Sequence, residues 1–174
     1  QRADVRPARL GQDDAGPPAG HHPPGDELPV FEVGEAKIGI LVCYDLRFPE
    51  ATRTLALKGI DILVLPTNWP VGAETSAEHL AIGRAIENRI YVVTCNRVGS
   101  EGGFDFIGRS KIIDPAGKVL ASAGVGPGNA QVISAELDPT LSRQKRLILI
   151  PDAYEIDVMG VRRPDLYEGV STSK

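Results

Sequence analysis

The sequence predicts an α/β fold, and three observations carry that prediction. Short apolar runs at Lys37–Val42, Asp61–Pro66 and Ile90–Cys95 have strand length and strand composition. Helix-forming segments, Glu50–Lys58 and Thr75–Arg89, separate them. Strand, helix, strand, helix and strand in that order favour parallel pairing through crossover helices.

Residues 1–24 have a different texture, with Pro7, Pro17, Pro18, Pro23, Pro24, Gly11, Gly16 and Gly20 breaking up a run of Arg, Asp and Ala. They are expected to form an irregular segment, and residues 25–174 the domain. From Leu28 the sequence reads as a short strand, LPVFEV, followed by a Gly34-Glu35 turn. The next strand alternates Ile38, Ile40 and Val42 with Gly39 and Leu41, so both faces are apolar and the strand is expected to be covered on both sides. It runs into Cys43, with Pro49 placed to open a helix. On Thr75–Arg89 the expected apolar side is Leu80, Ile82, Ala85 and Ile86. Phe106–Ile113, Lys118–Ala123 and Gln131–Glu136 read as further strands, broken by Asp114-Pro115-Ala116-Gly117 and by the glycines between Gly124 and Gly128. Asp138 and Pro139 are the expected cap and first residue of a last helix reaching Arg146, and the tail from Ile150 reads as irregular.

The 174 residues, 42% of them apolar, suffice for one substantial core. A net charge of −4, from 23 acidic and 19 basic residues without a basic block, argues against nucleic acid as a partner. No run has the apolar length of a membrane span, and the chain reads as soluble and cytoplasmic. Cys43 and Cys95, the only cysteines, lie in strand-like runs, which argues for reduced thiols rather than a disulfide framework. His21 and His22 have no further ligands near them in sequence, so neither a metal nor a cofactor is implied.

Cys43 is the first candidate for chemistry, because a strand's carboxyl end followed by a helix is where a chain mounts a nucleophile. Asp45, Arg47 and Glu50 follow closely and read as a charge network fixing that turn. Asn68 and Trp69 end the next strand, a position where α/β sheets place ligands, and are candidate substrate-binding residues. Glu87 is a weaker candidate base and His79 a weaker candidate partner for Cys43. Cys95 reads as a core residue.

The blocks GILVCYDLRFPE, DILVLPTNWP, RAIENRIYVVTCNRVG, FIGRSKIIDPAGKVLA and the closing RRPDLY, taken in order, resemble the carbon-nitrogen hydrolase family, the nitrilase superfamily. The resemblance runs from about Pro24 to the carboxyl end. It implies part of an αββα sandwich, a homo-oligomer, and cleavage of a small linear amide through a cysteine thioester. Cys43 matches the family nucleophile, and the backbone N–H of Tyr44 the oxyanion donor. The family's lysine lies a few dozen residues before the cysteine and its glutamate much earlier. Here the first lysine is Lys37, and only Arg2, Arg6 and Arg9 occupy the corresponding stretch. Arg9 is a poor replacement, because a planar guanidinium does not place a compact ammonium at the same point. The chain therefore reads as a carboxyl-terminal portion with impaired activity, the change of texture near Pro24 being what a shifted reading frame or misassigned start would produce. The alternatives are a non-catalytic dimerising remnant and a half-enzyme complemented by another chain.

Overall fold

The computed structural model describes residues 25–124 and 130–170; the irregular segment expected over 1–24 lies outside them. Ten strands and three α-helices are present among the described residues. β1 (Val30–Val33) and β2 (Ala36–Ile40) form a hairpin about Gly34, whose φ of 59° suits glycine. Then come α1 (Pro49–Leu57), β3 (Ile62–Thr67), α2 (Ala81–Asn88) and β4 (Tyr91–Asn96). β2, β3 and β4 pair in parallel, as the alternation of elements predicts. β7 (Lys111–Ile113) and β8 (Val119–Ser122) extend the sheet in antiparallel pairing, giving the order β1-β2-β3-β4-β7-β8.

Both helices lie on one face of this sheet. Leu41, Leu63, Leu65, Val92 and Ile113 are buried there with Leu55, Ile60 and Ala85. Gly39 is needed at the closest approach: a Cβ would lie 3.0 Å from Leu55 and 3.1 Å from Ile60. The opposite face is not closed in the same way. Registers place Ile40, Val64, Val93 and Ile112 in one row across four strands on that face. Ile40 is 45% and Val42 57% exposed. The expectation that β2 is covered on both sides is corrected: one face packs on helices and the other is open around Ile40 and Val42.

Other expectations are also corrected. The helix over 75–89 begins as a wide turn, Ser76–Leu80, and its buried face carries the small residues Ala77, Ala81 and Ala85, with Ile86 exposed. Small side chains let the helix sit close to the sheet. The strand expected over 106–113 is split into β6 (Phe104–Ile107) and β7, because Gly108 and Arg109 both take positive φ, 64° and 61°. β6 pairs with β5 (Val98–Glu101) in a separate ribbon. Residues 131–136 form no strand. α3 (Pro139–Arg143) is shorter than expected but is capped as predicted, the Asp138 carboxylate accepting the Thr140 N–H. Beyond it, β9 (Arg146–Ile150) and β10 (Tyr154–Asp157) make a hairpin where an irregular tail is expected. No helix among the described residues is long and apolar enough to cross a membrane.

Candidate active site

Cys43 stands just beyond β2, at the carboxyl ends of the three parallel strands. The chain stays beside β3 after β2 ends, since the Leu41 N–H donates to Val64 O at 3.1 Å. It then turns sharply through Cys43–Arg47 into α1. Cys43 has φ 45°, a left-handed conformation uncommon for a residue bearing a β-carbon. The turn is tied locally: the Asp45 N–H donates to Val42 O, the Phe48 N–H to Asp45 O, and the Val42 N–H to the Asp45 carboxylate at 2.8 Å. Pro49 then opens α1, its fixed φ suiting a first helical position and its missing N–H costing nothing there.

Of the three charged residues expected to fix this turn, only Asp45 acts directly. The Arg47 guanidinium lies 5.7 Å from the Tyr44 ring centroid, and Glu50 faces a separate groove shared with Arg53 and Arg162. The Tyr44 ring is exposed and meets Phe48 edge-on.

Half-buried Cys43 borders two cavities. One, of about 370 Å³, is also lined by Thr67, Asn68, Cys95, Asn96 and Arg97. The other, of about 880 Å³, is bordered by Tyr44, Asn68, Trp69, Ser76 and Phe104. Cys43, Tyr44, Asn68 and Trp69, the four candidates, all border this larger cavity. Cys95 is the correction: it is exposed and shares the smaller cavity with Cys43. Its position on β4 opposite Pro66 puts it on the open face of the sheet. Neither His79 nor Glu87 lines either cavity. His79 is exposed on the wide turn, and Glu87 bonds Arg84 at 2.9 Å.

Asn96 is the residue that sequence reasoning missed. It is buried at the end of β4, where its side-chain oxygen accepts from Thr67 Oγ1 and from the Trp69 N–H, both at 2.7 Å. Its Nδ2 donates to Gly108 O at 2.6 Å. One amide side chain therefore fixes the loop bearing Asn68 and Trp69 against the β6–β7 break. The available signal was an asparagine at a strand's carboxyl end, where an amide can satisfy the backbone groups that the sheet releases.

An ion cluster braces the other wall. Buried Lys111 donates to Ala77 O and to Glu78 Oε2 at 2.9 Å, and Arg109 also pairs with Glu78. Hydrogen bonds from Lys111 and Arg109 hold the Glu78 carboxyl below the usual glutamate range. The cluster anchors the wide turn that presents Ser76 to the larger cavity. Neither Glu78 nor Lys111 lines a cavity with Cys43.

A reactive residue type thus sits on a strained strand-to-helix turn that opens into cavities at a parallel sheet's carboxyl edge. Residues 10–146 match the model of the carbon-nitrogen hydrolase family. The chain belongs to that family. The chain is 41% identical over 133 residues to a nitrilase of Pyrococcus abyssi, covering 76% of the chain and 49% of that protein. It is 38% identical over 143 residues to the 2-oxoglutaramate amidase of Bacillus subtilis, covering 82% of the chain and 51% of the relative. A solved amidase from Nesterenkonia sp. AN1, of the nitrilase superfamily, superposes with a TM-score of 0.58 at 36% identity, covering 62% of this chain and 41% of that one. A glutamate variant of that amidase has been solved with the acetamide moiety of fluoroacetamide added at its active-site cysteine. The chain spans about half the length of the curated relatives it matches.

Proposed function

We propose that this hydrolase cleaves a small linear amide, with Cys43 as nucleophile. The observation that carries the reading is the placement of Cys43, on a strained turn opening into cavities shared with Asn68 and Trp69. The Cys43 sulfur attacks the amide carbonyl, whose oxygen takes the negative charge and is met by the Tyr44 backbone N–H. Collapse of that intermediate breaks the carbon–nitrogen bond and leaves a Cys43 thioester, with ammonia or an amine departing as it gains a proton. Water then attacks the thioester and returns the thiol. Asn68 and Trp69 orient the substrate.

The smaller cavity has no carboxylate or ammonium group among its lining residues. Acid–base catalysis contributes roughly 10²–10⁴-fold, so this chain is expected to react at Cys43 far faster than it turns over. Fluoroacetamide separates the two abilities, because alkylation needs the thiol and a bound amide but no hydrolysis. Incubation followed by peptide mass spectrometry is expected to place the acetamide group on Cys43, with Cys95 modified more slowly. Labelling of Cys43 no faster than of Cys95 would overturn the assignment.

The open sheet face supports a second reading of the same site, in which a separate polypeptide supplies the remaining part of the family fold. Ile40 and Val42, exposed beside the turn that bears Cys43, are where that polypeptide would seat.

A further inference from the structure

We propose that Arg84 is a positioning residue for the nucleophile, its buried guanidinium holding the Leu46 carbonyl and thereby fixing the turn that bears Cys43. The inference rests on the Cys43 reading above and adds a residue that lines neither cavity.

The turn Cys43–Arg47 needs support from outside itself. Its local bonds use Val42 O, Asp45 O and the Asp45 carboxylate, leaving the Leu46 carbonyl to find another donor. Leu46 is 1% exposed, so water is excluded, and an unpaired buried carbonyl is costly. Arg84, itself 7% exposed, crosses from α2 and donates Nε–H to Leu46 O at 3.1 Å. A charged donor to a buried acceptor is among the stronger hydrogen bonds, and Nε on a planar guanidinium has one fixed direction.

Arg84 is held in its turn. Its Nη1 donates to Glu87 Oε1 at 2.9 Å. Asn88 Nδ2 donates to Arg84 O at 3.0 Å and to the same Glu87 oxygen at 3.3 Å. From α1, Arg53 Nη2 donates to Glu87 O at 2.8 Å. The helix on each side of β3 is therefore tied to the other, and both to the turn. A left-handed residue that carries a side chain persists only where its surroundings over-determine it. Asp45 fixes the near end of this turn, and Arg84 fixes the far end.

The test uses the full 174-residue chain, with fluoroacetamide as probe and backbone amide exchange at Asp45 and Phe48 as a second readout. Arg84→Met keeps the length and removes the donor, and is expected to slow Cys43 labelling about tenfold, the effect of losing one charge-assisted hydrogen bond. It is also expected to speed exchange of the two amides. Arg84→Lys, which restores a donor, recovers most of both losses, a rescue that a packing role alone would not give. Glu87→Gln loosens Arg84 without removing it and decides the matter if Arg84→Met fails to fold; its expected effect is about threefold in the same direction. If wild type does not label selectively, the nucleophile reading fails, and amide exchange still reports on Arg84. Unchanged exchange in folded Arg84→Met or Glu87→Gln, or wild-type labelling by either, overturns the inference.

Discussion

At the scale of single residues, the backbone at Cys43 carries a testable cost. A left-handed conformation at φ 45° disfavours a β-carbon by roughly 1–2 kcal/mol, whereas glycine adopts it freely. Two substitutions that both remove the thiol should therefore differ in stability. Cys43→Gly is expected to be more stable than Cys43→Ala by about 1 kcal/mol, which is about 2–4 °C in Tm for a chain of this size. The usual order, with alanine above glycine because glycine has more unfolded-state freedom, is reversed only where the native backbone is left-handed. Thermal melts of the two variants decide it, and alanine at or above glycine would show that the turn relaxes when the sulfur is removed.

At the scale of elements, Asp61 shows how the strand ends are locked. It is 1% exposed at the start of β3, where its carboxylate accepts from the Lys37 N–H, from Ser142 Oγ at 2.8 Å, and from Arg143 Nε and Nη2, both at 3.0 Å. Burial alone would raise its pKa, but the Arg143, Lys37 and Ser142 hydrogen bonds outweigh it and hold the carboxyl below the ordinary aspartate value. A depressed folded-state pKa contributes stability that is complete above the unfolded value of about 3.9 and is lost as pH falls through the folded value. Asp61→Asn is expected to cost about 2 kcal/mol near neutral pH. Buried hydrogen bonds carry most of that, since Arg143 is half exposed and its charge is screened. As pH falls through the folded value the Tm gap between variant and wild type should narrow; a gap that stays constant with pH would mean the carboxylate charge plays no part.

The same elements show what the sequence can and cannot reveal. Alternation and length locate β2, β3 and β4 to within a residue or two, because their apolar runs are bounded by turns and polar residues. Composition cannot find the break at Gly108–Arg109, since Arg109 takes its positive φ while its side chain is held by Glu78 on another element. Nor does it find β9 and β10, whose exposed apolar residues, Ile148, Leu149 and Ile150, give no buried face to read. Residues 131–136 have strand-like composition without a partner strand, and propensity alone does not make a ladder. In the candidate site, Cys43, Asn68 and Trp69 stand out in the sequence because strand ends mark the functional edge of a parallel sheet, whereas Tyr44 enters only through the family resemblance. Asn96 and Arg84 do not stand out, because their partners, Trp69, Gly108 and Leu46, are brought to them only by the fold.

For the molecule as a whole, the half-open sheet turns the choice between an impaired hydrolase and a complemented one into a question of linkage. A sheet whose second face presents Ile40, Val64 and Val93 has an apolar row that a covering layer would bury. A polypeptide corresponding to the part of the relatives that this chain does not match is the layer that the second reading requires. Binding that favours the folded state stabilises by RT ln(1 + [L]/Kd), about 2.7 kcal/mol at a hundredfold excess over Kd, or roughly 5–11 °C in Tm for a chain of this size. Titration of such a polypeptide is expected to raise the Tm and to speed turnover of an amide without changing the site of labelling. Ile40→Lys and Val64→Lys place ammonium groups on the row and should abolish both effects. The chain alone should tolerate Ile40→Lys more readily, since Ile40 is already half exposed. A rise in Tm that survives both substitutions would place the contact elsewhere. No rise at any concentration would leave Cys43 labelling as the whole activity of this chain and favour the impaired hydrolase.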